Sequence, residues 1–349
     1  MFAPNRMGNL LSNILPAHRI LLYALITILP QQWIEPDHNS HSKNIQSPEI
    51  MYTMVEFQSE GATLRGKFYQ PSQASDLPVI IMAHGYSATI DGMVAEQYAE
   101  VFYKAGFAVL LYDHRNLGIS DGEPRHELNR WTQARGFRDA IDFVCTLPNI
   151  DKSRIGLWGD SMSGDEVLFV AGMDHRVKTV VVQVPACGST MPPEDPDGSL
   201  YESLKNTFYH GDINTPASTR GPMPVVSFDQ ESYPSLLKPL TAYRWFMEYG
   251  GRFNTKWVNR ATYVTPDTPV KFHSSLSIPH MKAAALMLVA DNDEIGGANP
   301  EVARNAFRLA PEPKQLINID GGHFGLLFYP SELFDQCSKA QADFFVKHL

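Results

Sequence analysis

Residues 155–168 read IGLWGDSMSGDEVL, a short apolar run that ends in Gly159, Asp160, Ser161, Met162, Ser163 and Gly164. A buried strand over 155–158 followed by a helix from Ser163 would bend sharply at Ser161. Such a bend lifts a serine hydroxyl above the carboxyl edge of a sheet, and it needs small residues two before and two after the serine, where strand and helix backbones nearly touch. Gly159 meets that need, Ser163 meets it approximately, and Gly164 follows directly. Asp165 is expected in the first helical turn, where the helix dipole favours a carboxylate. A G-x-S-x-G-like match is weak evidence alone, so the flanking sequence has to carry the reading.

Outward from this bend, strand-like and helix-like segments alternate. Residues 55–61 and 63–70 read as a hairpin turning at Glu60 and Gly61. Strands follow at 79–83, 108–112, 155–158 and 179–184, and later at 284–290 and 315–319. Helices are expected at about 93–105, 132–147 and 301–309, and from Ser331 to the end. Short continuous apolar runs such as VIIMA at 79–83 fit strands covered on both faces. Strands alternating with helices imply a doubly wound, mainly parallel α/β sheet. Between Cys187 and about His280 the rhythm breaks into Pro-rich and aromatic-rich sequence. That segment is too long for a bare loop and is read as a cap insertion over the carboxyl edge. Its aromatics, Trp245 and Phe246 among them, either pack the insertion itself or line an apolar pocket. The expected organisation is an extension over 1–50, core over 51–186, cap over 187–280 and core again over 281–349.

A serine hydroxyl needs a base, and the base needs an orienting acid. Gly321, Gly322 and His323 follow the last strand, which places His323 over the carboxyl edge as the base. The run ALMLVADNDE ends the preceding strand and offers Asp291, Asp293 and Glu294; Asp293 is favoured because it lies on the loop, with Asp291 or Asp320 as fallback. The order Ser161, Asp293, His323 is the order that a strand–serine–helix bend on such a sheet requires. Backbone N–H groups must also receive the oxyanion, one from Met162 and one from Tyr86 in the loop MAHGYSA, where Gly85 lets the chain turn closely. His84 either braces that loop or simply packs. Asp113 and Arg115, in YDHRNLGISDGEPR, are read as loop-organising residues.

Composition bounds the alternatives. The 349 residues are 44% hydrophobic and 19% charged, enough apolar material for a sizeable core. A net charge of -9 without clustered Lys and Arg disfavours nucleic acid as a partner and favours a small molecule. Three separated cysteines, Cys145, Cys187 and Cys337, suggest neither a disulfide framework nor a zinc site. No metal and no cofactor are expected. Residues 20–29, ILLYALITIL, form an apolar run too short to span a bilayer as a helix. Residues 1–50 are therefore read as a non-globular extension or mis-assigned start, a membrane-associating segment, or a cleaved signal. A cytoplasmic location is expected, with membrane-associated or peroxisomal locations as alternatives; the terminal Lys347, His348 and Leu349 resemble a peroxisomal tripeptide only loosely.

The set HGYSA, DHRNLGISDGEPR, GLWGDSMSG, ADNDE and GGHFG, in that order, resembles the α/β-hydrolase superfamily. More narrowly it is similar to the polyketide transferase and thiohydrolase family of fungal secondary-metabolite clusters, over about residues 55–349. In that family the elbow commonly reads G-x-S-F-S-G-G, where this chain has Met162 and Asp165. The resemblance implies a serine hydrolase acting on an ester or thioester of a bulky apolar acyl group, delivered as a small molecule or by a polyketide synthase carrier. Alternatives are an acyltransferase using an alcohol or amine acceptor, and a catalytically silent binding homologue.

Overall fold

The computed structural model describes residues 52–71 and 74–349. The expectations for residues 1–50, including the apolar run at 20–29, lie outside them. The N-terminal hairpin forms β1 (Tyr52–Ser59) and β2 (Ala62–Tyr69), paired antiparallel. Glu60 and Gly61 take φ of 46° and 76°, the two-residue geometry whose twist matches that of the flanking strands.

The α/β alternation then runs through β3 (Leu77–Ala83), α1 (Ala95–Lys104), β4 (Ala108–Tyr112), a two-residue β5 (Glu127–Leu128), α2 (Arg130–Val144), β6 (Ile150–Asp160), α3 (Ser161–Met173) and β7 (Val177–Gln183). Residues 187–280 contain α4 (Ser199–His210), β8 (Pro216–Met223), α5 (Leu240–Tyr249), β9 (Ala261–Pro266) and two short 3-10 turns. The chain closes with β10 (Ala284–Ala290), α6 (Pro300–Arg308), β11 (Lys314–Ile319) and α7 (Glu332–His348). Ser331 caps α7 through the Phe334 N–H, and Asn129 caps α2 through Trp131 and Thr132.

Eight strands form one sheet in the order β1-β2-β4-β3-β6-β7-β10-β11, and only β2 runs against its neighbours. Successive strand residues point to opposite faces, and the core divides accordingly. Val79, Ile81 and Leu157 meet the side covered by α2, α3, α4 and α6, whereas Ile80, Met82 and Trp158 meet the side covered by α1, α5 and α7. From β3 the chain crosses outward to β4, and from β6 it crosses the other way to β7, so the strand order reverses between β3 and β6. The loops leaving those two strands part there and open a crevice at their carboxyl ends.

Two local expectations are corrected. β6 starts at Ile150 rather than 155, because Ile150 pairs with Leu77 across a register shift. α3 starts at Ser161 rather than Ser163, which moves Asp165 out of the first turn. The Asp165 carboxylate is held by the Arg130 guanidinium instead of the helix N-terminus.

Within residues 187–280, α4 packs on the core: the Tyr201 and Tyr209 hydroxyls donate to the Gly172 and Met173 carbonyls at the end of α3. The second sheet, β5-β9-β8, joins a core loop to the inserted segment. The described residues form one compact unit.

Candidate active site

Ser161 sits at the end of β6 with φ of 51°. A non-glycine residue held there stores strain of about 1–3 kcal/mol, and the close packing around it leaves the chain no wider path. A Cβ on Gly159 would lie 2.4 Å from the Ser163 carbonyl oxygen, and one on Gly164 would lie 3.2 Å from Pro185 Cα. The Ser161 carbonyl accepts from Ala186 N–H at 2.8 Å, which ties the bend to the end of β7.

Ser163 turns out to be more than a tolerated stand-in for glycine. Its fully buried hydroxyl donates to the His84 carbonyl at 2.6 Å and contacts His114 Nε2 at 2.8 Å and Glu166 Oε2 at 3.1 Å. Burial pushes the Glu166 pKa well above the carboxylate range and pushes the His114 pKa down to about 3. A protonated Glu166 and a neutral His114 can therefore both donate to this oxygen, so a buried cluster links the loops after β3 and β4 to α3. The elbow motif gave no hint of this use, because two of its three partners, His84 and His114, lie on the loops after β3 and β4.

The loop after β3 lies against the bend. A Cβ on Gly85 would fall 2.7 Å from the Asp160 carbonyl oxygen, 2.8 Å from Ser161 Cβ and 3.1 Å from Met162 N. Gly85 N–H donates to Asp160 Oδ1 at 2.9 Å. His84 contacts Asp160 Oδ2 through Nδ1 at 3.4 Å, while its Nε2 accepts from Ala95 N–H at 3.1 Å. His84 is thus a brace between loop, bend and α1. Met162 is the second residue of an α3 that has no side-chain cap, so its N–H is one of the unsatisfied donors of a helix start. The Tyr86 N–H, one residue beyond Gly85, meets no acceptor among the described residues.

His323 and Asp293, the expected base and acid, meet through strand register. Ala290 and Ile319 are partners at the carboxyl ends of β10 and β11, so Asp293 and His323 lie three and four residues beyond one level. Asp293 Oδ2 accepts from His323 Nδ1 at 2.7 Å, and Oδ1 accepts from Ile295 N–H at 2.9 Å. Both side chains are buried, 3% and 2% exposed, which keeps water from competing for that bond. The fallback acids do not take this place: Asp291 pairs with Arg304, and among the described residues the His323 Nδ1 partner is Asp293 rather than Asp320. Glu294 supports His323 differently, accepting its backbone N–H at 2.9 Å. Burial works to raise the Glu294 pKa, but the bonds from Thr241 and His323 outweigh it and hold the group below the ordinary value. The glycine before the histidine follows from this contact, since a Cβ on Gly322 would lie 2.5 Å from Glu294 Oε2. Asp113 organises its loop as expected, accepting Ile90 and Ile119 N–H at 2.8 and 2.9 Å.

Ser161, Met162, Tyr86 and His323 all line one cavity of about 500 Å³, within the range of small-molecule sites. Ser161 Oγ and His323 share no hydrogen bond here; such bonds commonly tighten only when substrate is bound. Trp245, Phe246, Phe324, Leu236 and Leu327 make the wall apolar. Of the aromatics in the insertion, Trp245, Phe246 and Tyr263 face this space, whereas Phe253 and Phe228 lie on the surface. Arg130, Arg220 and Tyr263 also reach the cavity; their approach is purely tertiary and no local motif announces it. Among the described residues no cluster suited to a metal ion occurs.

A mainly parallel eight-stranded sheet with its serine on the bend after β6 is the α/β-hydrolase fold, and the chain belongs to that superfamily. Within it, the chain resembles fungal thiohydrolases and polyketide transferases. It is 39% identical over 147 residues to thiohydrolase aneE of Aspergillus aculeatus, covering 42% of this chain and 45% of that one. It is 28% identical over 297 residues to polyketide transferase grgF of a Penicillium species, covering 84% and 96%. The match to aneE therefore spans less than half of that relative, while the match to grgF spans nearly all of it. The crystal structure of the α/β hydrolase GrgF from Penicillium sp. sh18 superposes with a TM-score of 0.63 at 26% identity, covering 85% of this chain and 99% of that one. Residues 60–199 also match the family described as X-Pro dipeptidyl-peptidase (S15 family). No helix among the described residues is long and apolar enough to cross a membrane.

Proposed function

We propose that the protein is a serine-dependent hydrolase that cleaves an ester or thioester of a bulky apolar acyl group in polyketide or secondary metabolism. The observation that carries this reading is convergence: Ser161, a His323 already held by Asp293, and the free N–H groups of Tyr86 and Met162 border one apolar cavity. With Nδ1 bonded to Asp293, His323 presents Nε2 as the base for Ser161. Proton transfer to Nε2 accompanies attack of Oγ on the acyl carbonyl, and the two N–H groups receive the oxyanion. Collapse expels the alcohol or thiol with the proton from His323. Water, activated by the same nitrogen, then releases the acid.

A second reading, transfer of the acyl group to an alcohol or amine, is favoured by the near-full-length likeness to a protein named as a polyketide transferase. The two differ only in what reaches the acyl-enzyme, and the residues over the cavity, which we read as a cap, would decide how well water is excluded. A carrier-bound acyl donor fits either.

The test is labelling of the full chain with a fluorophosphonate probe beside Ser161→Ala. The expected result is labelling of the folded wild type alone; equal labelling of both, or none, overturns the mechanism. Product analysis with an acyl thioester, with and without an acceptor alcohol, separates hydrolysis from transfer.

A further inference from the structure

Two side chains of the small second sheet, Arg220 and Tyr263, reach the reaction cavity. In its register Leu128 on β5 pairs with Tyr263 on β9, and Tyr263 pairs with Arg220 on β8. Residues at one level of a ladder share a face, so Tyr263 and Arg220 stand side by side, and Arg130 follows two residues after Leu128. All three line the cavity that Ser161 borders. The Tyr263 ring stacks on Tyr86, with centroids 6.0 Å apart and planes 13° from parallel.

Two features of this wall call for a ligand. The Tyr86 hydroxyl is buried and has no hydrogen-bond partner. Burial pushes its pKa up to about 12, against the pull of the nearby Arg220 guanidinium, so it stays a donor at neutral pH. A buried donor without an acceptor costs about 1–3 kcal/mol. The positive charge is also in excess. Arg130 is satisfied by Asp165 and the Ala186 carbonyl, whereas Arg220 stands beside the Tyr86 hydroxyl and, like Lys238, lines the cavity without a carboxylate partner among the described residues. The two carboxylates at the cavity are committed elsewhere, Asp160 to Gly85 and His84, Glu294 to Thr241 and His323.

We infer that Tyr86, Arg220 and Arg130 form an anion-reading subsite beside the nucleophile, so that the substrate carries a carboxylate, enolate or phosphate oxygen as well as an apolar chain. This deepens the hydrolase reading and rests on it for the word substrate, while the binding itself requires no turnover. The Tyr86 hydroxyl donates to the anionic oxygen, Arg220 supplies the charge from the inserted segment, and Arg130, held in place by Asp165, adds to the positive field. The anion sits either on the acyl chain or on the phosphate-bearing arm of a thioester leaving group.

The experiment measures equilibrium binding by the fluorescence of Trp245 and the other tryptophans, in the full chain with Ser161→Ala to stop turnover, with Arg220 either as in the wild type or changed to Gln. Monomethyl suberate is compared with dimethyl suberate for an anion on the acyl side, and octanoyl-phosphopantetheine with octanoyl-N-acetylcysteamine for one on the leaving arm. The anionic member of at least one pair is expected to bind roughly tenfold tighter with Arg220 in place, as for one charge-assisted hydrogen bond. Arg220→Gln should abolish that ratio and Arg220→Lys should restore part of it. Whichever pair shows the preference names the source of the anion. A ratio near one for both pairs, or a ratio that survives Arg220→Gln, overturns the subsite. Arg220 is exposed on an edge strand, so its loss does not threaten folding; a merely structural role would weaken both members of a pair alike. Failure of Ser161 labelling overturns the hydrolase reading instead and leaves this ratio to be read separately.

Discussion

Gly85→Ala tests the oxyanion assignment without replacing a reacting side chain. The added methyl would lie 2.7 Å from a carbonyl oxygen, 2.8 Å from Ser161 Cβ and 3.1 Å from Met162 N, none of which is the tip of a flexible chain. Relief requires the backbone of one loop to withdraw by about 0.5 Å. That loop carries the Tyr86 N–H in the next residue, so the withdrawal comes straight out of the oxyanion geometry. Donors act only when held about 2.7–3.1 Å from the oxyanion, and loss of one costs roughly 10²- to 10³-fold in kcat. Gly85→Ala is therefore expected to lower kcat on a p-nitrophenyl acyl ester about 10²-fold, with a smaller change in KM and a melting transition still present. A kcat within threefold of wild type in the folded variant would show that Tyr86 N–H does not receive the oxyanion.

Asp293→Asn keeps the acceptor for Ile295 N–H but removes the charge that fixes the His323 tautomer, and kcat should fall by roughly 10³- to 10⁴-fold; retained activity at neutral pH would dismiss Asp293 as the orienting acid. Arg135 clamps the end of α4 through the Phe208, Thr207 and Gly211 carbonyls at 2.9, 2.8 and 2.7 Å and pairs with Glu60 at 3.0 Å. Arg135→Ala should cost about 2–4 kcal/mol in urea unfolding, and an unchanged midpoint would count against the clamp. The buried His114 refuses a proton until about pH 3, while the unfolded ring accepts one near 6.5. Its contribution to stability is complete above 6.5 and is lost as pH falls toward 3. Asp113, raised by burial from 3.8 to about 6 despite bonds from Ile119 and Ile90, acts in the opposite sense between those values. Melting temperatures across pH 3.5–7 should thus flatten in His114→Gln and steepen in Asp113→Asn; parallel curves for all three proteins would refute both assignments.

Much of the sheet was legible because its signals are local. The run at 284–290 coincides with β10, the turn stands at Glu60–Gly61 as its chemistry directs, and the helix expected from Ser331 begins one residue later, at Glu332. Boundaries moved where a distant partner decided them, as when Leu77 drew Ile150 into β6. The start of α3 shifted for a different reason. The periodic pattern marks only the helix body, whereas the serine itself already takes the first helical position.

The sequence by itself determined the order of the parts: a serine between small residues after one strand, an acid and then a histidine after two later ones, and a glycine loop after an earlier one. Small residues, turn formers and apolar runs act over a few neighbours, and so they can be read in line. Only the tertiary structure decided that Asp293, and not Asp291, meets His323, because that choice rests on the register of β10 against β11. It alone set Ser163 into a buried cluster with His114 and Glu166, and carried Arg220 across a second sheet to the cavity wall. All but the Ser163–Glu166 contact join residues tens of positions apart, and their strength comes from burial and charge that exist only once the chain has closed around them.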